Sequence, residues 1–402
     1  MSVGLLPPEK LLPVPGVRLA ATHSGIKLDA KVDDLVLIEL SPATTTAAVF
    51  TRNKFCAAPV SVAREHLASA SPRYLLINSG NANAGTGEQG LQNSRQSCQA
   101  LAELAELSSE QVLPFSTGVI GAQLPVDKIT SALPALLNKL DSDNWLAAAT
   151  GIMTTDTLPK AISRRIEVDG EVITISGICK GSGMIRPDMA TMLAYVATDA
   201  QISGEALQQC LDEVVKISFN SITVDGDTST NDACLLMATG VSQVQVDARH
   251  EAFMEALHDV FRHLAQAIIR DGEGATKFVE IRVQQAANEE DARELAYTIA
   301  HSPLVKTALF ASDANWGRIL AAVGRARLSH LDIDKVDLYL GNVCLIRQGL
   351  PDDDYSEQKG AAVMRQQDII ISVNLNLGQA AATIWTTDLS YDYVKINAEY
   401  RS

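Results

Sequence analysis

Much that would point to a ready-made function is missing from this sequence of 402 residues. No stretch approaches the ~18 uninterrupted apolar residues of a membrane span. The apolar N-terminal residues are broken by Pro7, Pro8, Glu9, Lys10, Pro13 and Pro15, so no signal-peptide core is expected there. There is no basic patch: the nearest approach is the pair Arg164-Arg165. With 33 basic and 48 acidic residues the formal charge is −15, which argues against a nucleic-acid partner. The cysteines, Cys56, Cys98, Cys179, Cys210, Cys234 and Cys344, show no metal-knuckle or CxxC spacing, so reduced thiols in a cytoplasmic protein are expected. The seven histidines do not cluster, and His258 and His263 stand at i, i+5, so no metal site is expected. Linkers of low complexity and solenoid repeats are also missing.

What is present is an ordinary globular composition, 47% hydrophobic and 20% charged. The length suits two domains or one large one, with no boundary visible in composition. Segments 35–40, 45–50, 74–78, 279–283, 336–339 and 369–375 read as strands. Segment 166–178 reads as a hairpin around Asp169-Gly170. Residues 91–107 have helical spacing, and Phe253, Leu257, Val260, Phe261, Leu264 and Ile268 form a helical stripe. The class is α/β or α+β.

Five segments carry candidate chemistry, each with a plain alternative. Gly85-Thr86-Gly87-Glu88-Gln89-Gly90 spells GxGxxG, but the predicted strand ends near Asn78, too early for a dinucleotide turn; a flexible or ligand-lining loop fits better. Asp225-Gly226-Asp227-Thr228-Ser229 resembles a calcium loop without its glycine (Thr230 instead) or its final glutamate (Leu236 instead), so that reading is rejected. Phe115-Ser116-Thr117-Gly118 offers a hydroxyl beside an unshielded N–H, suited to an oxyanion, or is an ordinary turn. In Asp271-Gly272-Glu273-Gly274, Glu273 can face an ammonium group, or the glycines simply cap a helix. In the fifth segment, a glycine-rich stretch from Lys180 leads through Ala190 to Thr191 and the apolar run 192–196. Its plain reading is a loop entering a strand. Its sharper reading is self-cleavage: a threonine in a strained loop attacks the preceding carbonyl, shifts the peptide to an ester, and after hydrolysis becomes a new N-terminus. The freed α-amine, with an ordinary pKa of ~8, is then the base for its own Oγ.

Around these residues the sequence closely resembles the ornithine acetyltransferase family, the bifunctional proteins of arginine biosynthesis. The resemblance runs nearly end to end, through RNKFCAAPV (52–60), NSGNANAGTG (78–87), PFSTGVIG (114–121), MTTDTLPK (153–160), CKGSGMIRPDMATML (179–193), SFNSITVDGDTSTND (218–232), DGEGATK (271–277), SPLVKTALFASDANWGR (302–318) and YVKINAEYRS (393–402). It implies an α/β (α+β) fold, a layered αββα arrangement with an additional α/β lobe. It implies cleavage at Ala190-Thr191 into an α chain, 1–190, and a β chain, 191–402, that stay associated and assemble as a heterotetramer. That cut need not be a domain boundary. Thr191 then passes acetyl from N2-acetylornithine to glutamate by ping-pong transfer, with Thr117 and Gly118 as the oxyanion hole. Thr154 (or Thr155), Lys180, Thr191, Glu273, Asn397 and Ser402 match the family's substrate-binding positions; many members end in threonine where this chain has Ser402. No bound cofactor is implied, although some members also acetylate glutamate from acetyl-CoA. The alternatives are an N-terminal-nucleophile aminopeptidase or amidohydrolase, a nucleotide-dependent oxidoreductase using the 85–90 glycines, and a non-catalytic assembly protein.

Overall fold

The computed structural model describes residues 2–168, 170–186 and 192–399. Ala190, Thr191, Ser402 and Asp169 of the predicted hairpin turn therefore lie outside the described residues. The chain divides into two compact units, Leu6–Asn220 with Asp227–Ile268, and Met1–Leu5 with Ser221–Gly226 and Ile269–Ser402.

The larger unit contains β1 (Val17–Thr22), β2 (Leu35–Leu40), β3 (Thr45–Phe50), α1 (Ala58–Ser69), β4 (Tyr74–Asn81), α2 (Gly87–Ala105), β5 (Val112–Val119), α3 (Val126–Asn138) and α4 (Trp145–Gly151). It continues through β6 (Lys160–Val168), β7 (Glu171–Lys180), β8 (Leu193–Thr198), α5 (Gly204–Lys216), β9 (Ala233–Ala238) and, as far as Ile268, α6 (Glu251–Arg270). One sheet has the order β1-β2-β4-β5 and the other β3-β9-β8-β7-β6. Strand alternation explains why they stack. Val36, Ile38, Leu75, Ile77, Leu113 and Phe115 of the first sheet share one core with Ile178, Leu193, Tyr195, Leu235 and Met237 of the second. The opposite alternation, Leu35, Leu37 and Leu76, packs against Cys98 and Leu101 of α2 and Leu133 of α3. On the outer face of the second sheet α5 packs on β3 and β9, and the predicted stripe of α6 is buried, with Val260 and Leu264 over Gly177. The layering is αββα.

The smaller unit is the α/β lobe. It contains β10 (Phe278–Ala286), α7 (Glu289–Ala300), α8 (Pro303–Phe310), α9 (Trp316–Arg325), β11 (Asp337–Leu340), β12 (Val343–Arg347), β13 (Leu350–Pro351), α10 (Glu357–Met364), β14 (Asp368–Asn374), β15 (Ala380–Thr387) and α11 (Tyr391–Glu399). Its sheet runs β13-β12-β11-β14-β10-β15, with a core joining Val279, Ile281 and Ile371 to Leu295 and Ile299 of α7.

Two differences from the sequence reading matter for function. The strand expected to stop at Asn78 runs to Asn81, because parallel pairing with β5 continues through Ser79↔Thr117 and Gly80↔Gly118. The turn-forming residues there make an irregular strand end, with Asn78 Nδ2 donating to the Asn81 carbonyl at 2.8 Å. The segment around Gly118 is correspondingly the end of β5 and not a turn. The 85–90 glycines lead into α2, which begins at Gly87, four residues before the predicted start. Gly90 serves close packing: a Cβ there would lie 1.9 Å from Thr86 Oγ1 and 2.7 Å from Asn83 Oδ1.

Gly118 has φ +135°, and a Cβ there would lie 2.3 Å from the Gly80 carbonyl carbon. Gly118→Ala should destabilise the larger unit by at least the ~1–3 kcal/mol of a strained backbone, because β4 must also move away from β5. Denaturant unfolding measures this; an unchanged midpoint would refute the close approach.

Candidate active site

The site begins where the shared core of the two sheets ends. Along β5, Leu113 and Phe115 point into that core, and Thr117 continues the alternation. Along β7, Ile178 does the same and Lys180 follows it. The final side chain of each series is polar, and the two meet: Lys180 Nζ donates to Thr117 Oγ1 at 3.1 Å, both residues being buried. Leu193, which opens β8, is the register partner of Lys180. Thr191 stands two residues earlier in the sequence.

Beneath this pair lies Asp156. Its side chain and that of Lys160 have no solvent exposure, and Lys160 Nζ donates to Asp156 Oδ1 at 2.6 Å. The same oxygen accepts the Gly181 N–H at 2.8 Å, and Oδ2 accepts the Thr154 N–H at 3.0 Å. One carboxylate therefore fixes the backbone beside Lys180 and the backbone of Thr154. Burial alone would raise its pKa; the charges of Lys160 and then Lys180, with the Gly181 N–H, overcome this and hold it well below the usual carboxylate range.

A second set of polar contacts shapes the end of β5. Asn231 Nδ2 donates to the carbonyls of Ala82 at 2.6 Å and Ser116 at 2.9 Å, and Ser116 Oγ donates to Asn78 Oδ1 at 2.5 Å. The next residue, Asp232, is buried, and its Oδ2 has no hydrogen-bond partner among the described residues. Burial pushes its pKa well up, opposed by Ser229 and Lys180.

In the smaller unit two predicted residues are joined. Asn397 Nδ2, on α11, donates to Glu273 Oε2 at 2.8 Å. Gly274 lets the chain pass close to that helix: with φ +66°, a Cβ on it would lie 2.4 Å from the Tyr393 nitrogen. Nearby Lys306 is buried and donates to Thr386 Oγ1 at 3.1 Å and the Thr387 carbonyl at 2.5 Å. Burial pushes its pKa down to about 8, against the pull of Asp388 and Asp225.

The structure thus groups Thr117, Gly118, Thr154 and Lys180 in one unit and Glu273 with Asn397 in the other. Ala190, Thr191 and Ser402 lie outside the described residues. The sequence reading missed Asp156, Lys160, Asn231 and Asp232. The first two stand four apart in 153–160, but outside a helix that spacing gives no signal of an ion pair. Among the described residues no group of three or more His, Cys, Asp or Glu could hold a metal ion, and no helix is long and apolar enough to cross a membrane.

A two-sheet α/β sandwich whose core ends in a buried lysine, a hydroxyl and a fixed carboxylate has the make-up of an enzyme acting on small polar molecules. Residues 18–402 match the profile of the ArgJ family, and the chain belongs to that family. It is 56% identical over 397 residues to the arginine biosynthesis bifunctional protein ArgJ of Methylococcus capsulatus, covering 98% of this chain and 97% of that one. To the protein of the same name from Pseudomonas syringae pv. tomato it is 53% identical over 407 aligned residues, covering both chains fully. Among solved structures it is similar to an ArgJ chain from Bacillus halodurans, with 40% identity, 50% of this chain and 96% of that chain covered, and a TM-score of 0.48.

Asp156→Asn leaves the buried Lys160 charge without its carboxylate and should cost about 3–5 kcal/mol at neutral pH. Adding Lys160→Met should recover much of that loss. Because the folded pKa of Asp156 is depressed, the wild-type advantage is full above the ordinary value of ~4 and fades as pH falls toward the folded value. Urea unfolding of the three proteins across that range tests both statements.

Proposed function

We propose that this member of the ArgJ family transfers acetyl from N2-acetylornithine to glutamate through an acetyl ester on Thr191. The match over residues 18–402 carries this reading. In the first half-reaction Thr191 Oγ attacks the acetamide carbonyl, its proton passes through the α-amine to the leaving nitrogen, and ornithine departs. In the second, the glutamate amine attacks the ester, and Thr191 Oγ regains a proton as N-acetylglutamate leaves. Thr117 Oγ1 and the Gly118 N–H would receive the developing oxyanion, a role worth a few kcal/mol per donor, about 3–4. Lys180, buried and already directed at Thr117, supplies positive charge to the same place. Thr154 (or Thr155) and Ser402 offer hydroxyls, and Glu273, steadied by Asn397, offers a carboxylate for a substrate ammonium.

The nucleophile arises by cleavage between Ala190 and Thr191, giving chains 1–190 and 191–402 that remain together and pair further as a heterotetramer in the cytoplasm. Transfer by ping-pong needs no bound cofactor, since the enzyme itself holds the acetyl group; acetyl-CoA enters only as an alternative donor to glutamate, in keeping with the relatives' name, bifunctional.

Purified protein should give two fragments on a denaturing gel, the second beginning Thr-Met-Leu-Ala. Thr191→Ala should abolish both cleavage and turnover, and a fully active intact chain would overturn the mechanism. Release of acetate without glutamate would instead indicate a hydrolase. A separate assay with acetyl-CoA as sole donor should yield N-acetylglutamate; no product would limit the enzyme to acetyl recycling.

A further inference from the structure

At the end of the first sheet away from Gly80 and Gly118, a groove of about 570 Å³ lies between the segment entering β1 and the turn that follows β2. Pro13, Pro15 and Pro42 form its apolar walls, and Arg18, Glu39 and Arg73 supply its charges. None of these residues falls in a segment that carries the family resemblance. Backbone contacts tie the walls together: the Ser41 N–H donates to the Gly16 carbonyl at 2.8 Å, and Thr239 Oγ1 to the Pro15 carbonyl at 2.7 Å. Arg73 extends the β2–β4 pairing by one residue. Its carbonyl accepts the Leu40 N–H at 2.8 Å, and its Nε donates to the Leu40 carbonyl at 2.8 Å. The half-buried guanidinium is thereby held in place. Gly80 stands almost the full length of β4 away, about 23 Å at ~3.3 Å per residue, so the groove is separate from the candidate active site.

Each guanidinium here is engaged only through its Nε: that of Arg18 donates to Glu39 Oε2, and that of Arg73 to the Leu40 carbonyl. The terminal nitrogens of both arginines have no hydrogen-bond acceptor among the described residues, so most of each fork stays open. Glu39 is already occupied on both oxygens, since its Oε1 accepts the Tyr74 hydroxyl at 2.8 Å. Burial would raise the Glu39 pKa; the hydrogen bonds from Arg18 and Tyr74, then the charges of Arg18 and Arg73, outweigh this and lower it. Asp141 adds a weaker pull on Arg18 but does not line the groove. Two cations against one carboxylate leave the lining one positive charge over. A monocarboxylate matches that excess, and its two oxygens fit a planar guanidinium fork. A phosphate dianion would instead set a second negative charge against Glu39, in a chain of net charge −15.

We propose that this groove binds a small monocarboxylate with an apolar body. Arg73 takes the carboxylate through its terminal nitrogens, Arg18 adds a further N–H donor, and Pro13, Pro15 and Pro42 cover the body. The site stands apart from the acetyl-transfer reading and does not depend on it. The alternative is that Arg73 only closes the strand end through Nε and leaves its other nitrogens to water.

The probes are phenylacetate, its neutral analogue phenylacetamide, and inorganic phosphate, each titrated calorimetrically into wild type, Arg73→Gln, Arg73→Lys and Arg18→Gln. Wild type should bind phenylacetate, with phenylacetamide and phosphate weaker by about 10-fold or more. Arg73→Gln should weaken phenylacetate about 10- to 100-fold, the range expected for losing a hydrogen bond to a charged group, and leave phenylacetamide unchanged. Arg73→Lys, which keeps the charge without the fork, should fall between the two. Urea unfolding midpoints on the same samples report whether the fold is intact. No binding of phenylacetate by wild type overturns the proposal. So do equal affinities for acid and amide, tighter binding of phosphate, or undiminished binding in Arg73→Gln. If Arg73→Gln fails to fold because the Leu40 carbonyl has lost its donor, Arg18→Gln decides: a loss confined to the acid supports the site, and wild-type affinity refutes it.

Discussion

A carboxylate shut away from water keeps its charge only where cations and N–H groups surround it. Asp156 is such a group, and its partners are the parts from which the site in the larger unit is made. Lys160 neutralises it from β6, the Gly181 N–H ties it to the end of β7, and the Thr154 N–H ties it to the turn after α4. The position of Lys180 follows from the second of these, since it is the residue before Gly181. Buried ion pairs are costly ways to gain stability. Here the pair gives three chain segments one shared point of reference, a constraint that apolar packing alone would impose less specifically.

The rest of the site follows from strand alternation. The same two-residue period that fills the interlayer space with Phe115 and Ile178 delivers Thr117 and Lys180 to its rim. The core thereby acts as the ruler that sets their separation. Asn231, donating to the carbonyls of Ala82 and Ser116, closes the rim on the side of β9.

Segments with a strong local pattern were legible in the sequence. Strands at 35–40 and 45–50 have the predicted bounds, and the stripe from Phe253 to Ile268 is buried as its 3.6-residue period requires. The layered fold came from resemblance and not from periodicity. What the sequence hid depends on partners far away along the chain. Asn78 to Asn81 has turn composition, and only β5 makes it a strand. Asp156, Lys160 and Asp232 look like solvated charges, because burial of a charge leaves no local signature. Thr117, Lys180, Glu273 and Asn397 were named from resemblance together with residue chemistry, and the structure adds the hydrogen bonds that join them in pairs.

The strand order β3-β9-β8-β7-β6 interleaves segments from either side of Ala190-Thr191. The pair β8-β9 comes from the later part of the chain and is hydrogen-bonded on one side to β7 and on the other to β3, both from the earlier part. A chain cut at that point cannot come apart by sliding at a surface; it must give up two complete strand ladders and the core between the sheets. The uncut chain folds as a single molecule, at a rate independent of its concentration. Once cut, the same sheet could be rebuilt only by the meeting of two separate polypeptides, at a rate set by how dilute they are. Cleavage would therefore act as a ratchet on folding: it keeps the native state in place by its slow disassembly while removing the easy route back after denaturation.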